Sequence, residues 1–540
     1  MTVLRSTLLS LAYLASASLA LSNLAVPGTS WSYDYVVVGG GTSGLAIAAR
    51  LAEDPTVTEI EGGIESIIPV FAAAANTGTD PSYDSLLIDW NFDTLPLTAA
   101  DNRVLRYARG KCLGGTSARN LMVYNRGTKG TYDQWADITG DSSWDWDSVL
   151  PYFKKSCTLT APDMTKRNKN TSLSFEADAF DNRLDGSLHV ISLDEIGILP
   201  GQDTNSGYLN GSAWAAATID PTAETRSSSK TSFLPQFTFN FNVYAHTLAK
   251  KINFSGTKAR SVKVETLGIP YTLTAKKEII ISAGAFQVPQ LLMVSGIGPQ
   301  STLQDLGINV IKDLLGVGQN LWDHPLLGVV NRANVVTASR LVDDALAAAE
   351  ALAQYAFQEG PLTPPGFGVL GWEKLPDDIR WIFTNSTREA LSTFPLDWPE
   401  NLGDGYEYGT IAAALVSPLS RGSISINSTD TVNAPLIDLG YLTHPADQEI
   451  AVAALKRARQ AFNASGVTVP GVDEHNPGPD VQTDEQILDF IRSTIVPVWH
   501  AAGNLRVVDE SIFPTLPSGH PQSTCYMVAE KIADDIKKGS

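Results

Sequence analysis

The β-branched run Tyr35-Val36-Val37-Val38 stops on three glycines and restarts as Thr42-Ser43-Gly44 before Leu45-Ala46-Ile47-Ala48-Ala49-Arg50-Leu51-Ala52. That order leaves little choice of fold. A strand that enters a tight glycine turn and leaves as a helix is the first half of a βαβ unit, and the helix N-terminus offers its N–H groups to a phosphate. Gly39 permits the turn, Gly41 lets the backbone approach a pyrophosphate, and Gly44 lets the helix close on the sheet. A dinucleotide site also wants an acid at the end of the second strand, to hold ribose hydroxyls. Glu61 is the candidate and Glu59 its rival. The spacing expected after the last glycine is about 20 residues, and here Glu61 stands 17 beyond Gly44 in a polar stretch short for a buried strand.

A chain of 540 residues is too long for one simple core, so two intimately joined domains are expected. Its net charge of -19 repels nucleic acid and anionic membrane, leaving a small neutral molecule as the better partner. Met1 to Ala20 carry an early Arg5, an apolar stretch from Leu8 to Leu14 and small residues at Ala15, Ala17, Ser18 and Ala20. This reads as a signal peptide, and no other run is apolar enough to span a bilayer. Six Asn-x-Ser/Thr sites, at Asn170, Asn210, Asn253, Asn385, Asn427 and Asn463, fit a secreted, N-glycosylated protein. Three cysteines, Cys112, Cys157 and Cys525, allow at most one internal disulfide, so packing must hold the core.

Glycine, arginine and asparagine crowd together again in Arg109-Gly110-Lys111-Cys112-Leu113-Gly114-Gly115-Thr116-Ser117-Ala118-Arg119-Asn120, which reads as backbone wrapped closely around a ligand. Tyr271 to Lys277 alternates and Glu278 to Gly284 continues as a buried strand into a second small-residue turn; a helix from Pro289 to Val294 and a glycine loop, Gly316 to Pro325, follow. Helices over Val342–Gln358 and Ala446–Phe462 and a strand over Gly422–Ile426 read as a second, substrate-facing domain.

Near the C-terminus stand Val498-Trp499-His500 and Gly519-His520-Pro521. Together with the glycine loop, the block Gly110 to Gly127 and the block Gly284 to Gly298, they resemble the glucose-methanol-choline (GMC) family of flavin oxidoreductases, from about Tyr33 to Ile536. Within it the chain is similar to the secreted aryl-alcohol-oxidase-like and glucose-oxidase-like members. The resemblance implies FAD, with its adenine and pyrophosphate against Gly39, Gly41, Thr42, Ser43 and Gly44 and its ribose on Glu61. It also implies that Gly114, Gly115, Thr116 and Ser117 lie along the cofactor, that Asn120 sits close to the flavin, that Val243 contacts the adenosine end, and that Asp509 approaches the ribityl chain. No metal is implied.

By the same resemblance His500 and His520 are the catalytic pair. An imidazole near its ordinary pKa of about 6.5 is suited to take a hydroxyl proton at mild pH. His500 is the expected base and His520 the group that orients the substrate oxygen, with the reverse assignment open. His324 is expected to order a loop near the cofactor, and His189, His246, His444 and His475 to be structural. The expected reaction is oxidation of a primary, aromatic or polyketide-derived alcohol to the aldehyde, with oxygen or a quinone as acceptor and a place in secondary metabolism. Phe357, Phe367 and Trp372 suit an aromatic substrate, though core packing explains each one singly.

The chain departs from the family by shortening at 58–63, at 192–193 and between His500 and Leu505-Arg506-Val507-Val508-Asp509. Two alternatives follow: a flavin-binding relative without turnover, and a hydroxynitrile-lyase-like member that keeps FAD without redox chemistry. The fold expected is α/β, a Rossmann-like FAD-binding domain with a sheet-and-helix substrate-binding domain. Its segments are 1–20 signal peptide, 31–320 cofactor region with a substrate-domain insert at about 150–215, 321–410 substrate-domain helices and loops, and 411–536 with a return to the flavin at 496–536.

Overall fold

The computed structural model describes residues 31–52, 88–158, 203–234 and 242–373 with short interruptions, 391–395, 407–466, 468–503 and 508–539, and a few short pieces elsewhere. Glu61, the leader, His189, Phe367, and the shortened stretches at 58–63 and 192–193 lie outside the described residues.

The opening strand, β1 (Trp31–Val38), leads through the glycine turn into α1 (Thr42–Ala52). It pairs in parallel with the long strand Ile269–Ile281, Val36 opposite Ile279 and Val38 opposite Ile281. That strand is a single element where the sequence suggests two segments. Its first half turns back on Lys258–Thr266, which pairs with Thr247–Ser255, so a four-stranded sheet forms with one parallel and two antiparallel contacts. Alternation explains the division of labour: Tyr271, Leu273 and Ala275 face inward and join Val36, Val38, Val262 and Val264 in one apolar layer under the helix Gly284–Val294.

A second sheet has six strands in the order Val496–Pro497, Pro325–Ala333, Glu407–Leu415, Leu391–Pro395, Val369–Glu373 and Gly211–Trp214, and every pairing is antiparallel. The stretch 321–410, expected as helices and loops, carries three of these strands and the start of a fourth, beside the helix Ala345–Tyr355. Over that sheet lies the helix Pro445–Ser465, opened by Pro445 at its first turn and a His444 side chain that accepts from the Ala446 N–H, and closed by Gly466 at φ 65°. Its inner face, including Ala451, Ala454, Leu455, Ala458 and Phe462, fills a core shared with Val329, Ala413 and Leu415. Trp372 is 1% exposed in the packing on this sheet, and Phe357 is 79% exposed, so neither reaches the site described below.

The last helix, α2 (Pro521–Lys538), packs along α1. The Ser43 hydroxyl donates to the Cys525 carbonyl at 3.1 Å, and the buried Glu530 carboxylate takes Arg50 at 2.8 Å and Lys155 at 3.0 Å. An uncompensated carboxylate at that depth would cost several kcal/mol, so these partners fix how the C-terminal helix docks. All three cysteines are free. Among the described residues no helix is long and apolar enough to cross a membrane, and no His, Cys, Asp and Glu cluster could hold a metal ion.

Candidate active site

A cavity of about 1080 Å³ runs from the opening glycines to the C-terminal histidines. At one end it is lined by Gly39, Gly41, Thr42, Ser43, Gly115 and Thr116, and at the other by Asn120, Trp499, His500, His520 and Gln522. Small-molecule pockets usually hold about 300–1,000 Å³, so the space exceeds what a single small substrate needs.

Backbone sterics build the first end. Gly39 has φ 118°, and a Cβ there would stand 2.1 Å from the Ser282 carbonyl oxygen; a Cβ at Gly44 would stand 1.9 Å from the Gly39 carbonyl oxygen. Gly115, at φ 52°, brings the second glycine loop face to face with Gly41, while a Cβ at Gly41 would meet nothing closer than 4.0 Å. The cradle is therefore open towards the cavity and closed behind it. Gly114 and Ser117 do not line the cavity. They hold the loop instead: the Gly114 N–H donates to the Gly40 carbonyl at 2.8 Å, and the Ser117 hydroxyl donates to the Gly114 carbonyl at 2.7 Å. Val243 is also one step removed, beside the lining residues Tyr244, Ala245 and His246. His246, expected to be structural, is thus part of the wall.

Long-range hydrogen bonds build the second end. His520 precedes the first turn of α2, so the helix docked on α1 delivers its imidazole to the cavity. Trp499 adopts φ 60°, a left-handed conformation that side chains rarely take, and this kink turns His500 inward. Beneath it lies Asp323, 3% exposed. One carboxylate oxygen accepts from the backbone N–H groups of His324 and His500, both at 2.8 Å; the other accepts from the Tyr107 hydroxyl at 2.8 Å and the Tyr441 hydroxyl at 2.5 Å. Arg109 donates to the carbonyls on either side of His500, Trp499 at 2.9 Å and Ala501 at 3.3 Å. Sequence reasoning missed Asp323 as a site residue. Its place in Gly316 to Pro325, directly before His324, was the signal available.

The His500 and His520 rings are 5.0 Å apart between centroids, at 80° to one another. His324 stands behind His500 with the two Nδ1 atoms 2.9 Å apart, a direct contact where only loop ordering was expected. Burial pushes His324 and His520 down to about 3, and burial with the neighbouring His520, His324 and Arg109 pushes His500 well below the usual histidine range. All three are neutral at pH 7. His444 and His475 stay structural, the first as a helix cap and the second edge-on to the Tyr408 ring.

Several features fit a dinucleotide coenzyme. The N-terminus of α1 opens into the glycine cradle, as an anion requires. The buried Ser282 hydroxyl and Trp499 Nε1, both on the cavity wall, have no hydrogen-bond partner among the described residues. Asn120 is held on the wall by donating to Gln522 at 2.8 Å and accepting from Arg226 at 2.9 Å. Asp509, also on the wall, accepts from the N–H groups of Gly284 at 2.7 Å and Ser511 at 2.9 Å, while burial and the neighbouring Glu510 raise it to about 7.

The GMC oxidoreductase family models match this chain, the N-terminal one over residues 33–326 and the C-terminal one over 418–504 and 502–529. The chain belongs to the GMC oxidoreductase family. As a GMC protein it is 53% identical to the dehydrogenase pkfF of Emericella nidulans, over 94% of each chain, and 41% identical to the patulin synthase of Aspergillus clavatus, over 95% of this chain and 93% of that one. An FAD-dependent oxidoreductase from Chaetomium thermophilum shares the fold with a TM-score of 0.79 at 28% identity, covering 94% of this chain and 99% of its own. The alignment with pkfF runs over 578 positions against 540 residues here, so the relative carries segments that this chain lacks. One break falls at 502–504, where the C-terminal match divides. Ala502 there bridges to Trp322 and Val508 donates to the Ile281 carbonyl at 3.0 Å, and both histidines line one cavity.

Proposed function

We propose that this GMC oxidoreductase is a secreted, N-glycosylated flavoenzyme that oxidises a primary alcohol, aromatic or polyketide-derived, to the aldehyde. The observation that carries this reading is the single cavity joining the glycine cradle to two neutral imidazoles 5.0 Å apart. Gly39, Gly41, Thr42, Ser43, Gly115, Thr116, Asn120 and Asp509 would hold FAD, which supplies a two-electron acceptor for hydride. The protein's own part is acid–base work and positioning. A neutral imidazole takes the hydroxyl proton as the carbinol carbon gives up hydride, and its partner holds the alcohol oxygen. Asp323 and Arg109 keep His500 in register by gripping the backbone on both sides of its ring.

Similarity to a dehydrogenase and to a patulin synthase supports a role in secondary metabolism. Oxygen or a quinone is the terminal acceptor. The leader and the exposed sites Asn210, Asn427 and Asn463 support secretion with glycosylation, which an endoglycosidase mobility shift on secreted protein would test. The division of the C-terminal match at 502–504 favours a second reading, a relative that binds flavin without turnover. Anaerobic addition of 4-methoxybenzyl alcohol and a panel of related alcohols to the purified holoprotein separates the two. Loss of the visible flavin band supports oxidation, and a band unchanged across the panel rejects it.

A further inference from the structure

The kink at Trp499 that turns His500 inward also fixes where the indole goes. Arg109 donates to the Trp499 carbonyl at 2.9 Å and Asp323 accepts from the next N–H, that of His500, at 2.8 Å, so the backbone is clamped on the far side of the bend. The ring packs against the apolar core that the helix Pro445–Ser465 fills. Its Nε1 is buried and has no hydrogen-bond partner among the described residues. A buried donor without an acceptor is costly in a folded protein, and one held this firmly calls for a physical reason.

Position separates this donor from the other unpartnered one on the wall. Ser282 belongs to the glycine end, where its carbonyl oxygen crowds Gly39. Trp499 stands at the opposite end, next in the chain to His500 and lining the cavity with His500 and His520. A ligand seated there gains by bringing Nε1 an acceptor. The reacting hydroxyl is not that acceptor, because the imidazole pair already serves it: one ring takes its proton and the other holds its oxygen. What remains for Nε1 is a different oxygen of the same molecule.

We propose that Trp499 is a specificity-determining residue whose Nε1–H donates to a second oxygen on the substrate, so that the preferred substrate is an alcohol carrying an ether, carbonyl or hydroxyl oxygen elsewhere in its skeleton. This rests on the alcohol-oxidation reading and narrows its substrate class. The second oxygen does not react. No bond to it forms or breaks, and its contact with the indole sets the pose in which the carbinol meets the two imidazoles. An analogue with CH2 in place of that oxygen fills the same space but leaves Nε1 unpaired, which is the physical basis of the discrimination.

The first test needs no turnover. In dithionite-reduced holoenzyme labelled with ¹⁵N-indole tryptophan, the Trp499 signal is identified by its loss in W499F. The ortho, meta and para methoxybenzyl alcohols are then compared at saturation with the matching ethylbenzyl alcohols, which share their shape and lack the second oxygen. At least one methoxy isomer should move the Trp499 indole N–H downfield where its ethyl twin does not. A signal that responds alike to both members of every pair overturns the proposal. So does a signal that lies downfield before any alcohol is added and stays there, since a coenzyme carbonyl then holds the proton. The second test follows anaerobic flavin reduction by the pair singled out. W499F keeps an aromatic ring without the N–H, and it should slow the methoxy alcohol about tenfold more than its ethyl twin, the worth of one hydrogen bond. Equal slowing of the two overturns the assignment. If no alcohol reduces the parent protein, the oxidation reading fails, and the indole titration alone then decides whether Nε1 meets a ligand oxygen.

Discussion

The two ends of the cavity are made by different kinds of force. At the glycine end the backbone approaches itself so closely that a Cβ at Gly39, Gly44 or Gly115 has no room. At the histidine end the imidazole rings stand on hydrogen bonds between residues far apart in the chain: Asp323 to His500, Arg109 to Trp499, Asn125 to His520. A site of the first kind tolerates almost no substitution at its own positions. One of the second kind can fail through residues that never touch a ligand.

The largest expected effect breaks the glycine end. G44V puts branched carbon where a Cβ alone would be 1.9 Å from the Gly39 carbonyl oxygen, so the protein should lose at least about 3 kcal/mol and purify without its flavin band. Absorbance and thermal melting check both. D323A attacks the other end from behind. It leaves two backbone N–H groups and two tyrosine hydroxyls without their buried acceptor, which should cost about 3 kcal/mol and slow flavin reduction while flavin content in the folded fraction is kept. Retained full activity in D323A would show that His500 is held by other means.

Acid should distinguish the ends more gently. The folded pKa of His520 is lowered from 6.5 to about 3, so as pH falls below 6.5 the unfolded chain takes up a proton that the folded chain refuses. His520 therefore contributes a loss of stability that grows as pH drops from 6.5 towards 3. Asp323 and Asp509 act in the opposite sense, since their raised folded values, about 6 and about 7, make them lower stability as pH rises through the window above 3.8. Comparing urea melts of the parent and H520N isolates the histidine part: the difference should be constant above pH 7 and shift in favour of H520N below it. The smallest effect is expected outside both ends. F357A, at a side chain 79% exposed, should leave KM for 4-methoxybenzyl alcohol unchanged within error.

Much of this was written in local sequence. The strand, glycine turn and helix over 35–52 follow from β-branched residues, three glycines and a run of small apolar residues, and the structure gives them that form. The helix over Pro445–Ser465 and the strand Ser423–Ser425 also stand where periodicity put them. The stretch 321–410 did not read as sheet, because strands buried on both faces show short apolar runs without clean alternation. His246 read as structural because nothing around it marks a cavity wall.

By itself, then, the sequence determined a nucleotide-cradling turn, the membership of two C-terminal histidines in one motif set, and the chemistry an imidazole pair can do. Those depend on steric limits and side-chain chemistry, which travel with the residues. Only the tertiary structure decided that Asp323 grips the His500 backbone from below, that His324 stands with its Nδ1 2.9 Å from that of His500, and that Asn125 meets both the backbone and the ring of His520. A hydrogen bond between residues hundreds of positions apart leaves no periodicity to read, because its geometry exists only once the helix carrying His520 has docked on the helix that follows the opening glycines.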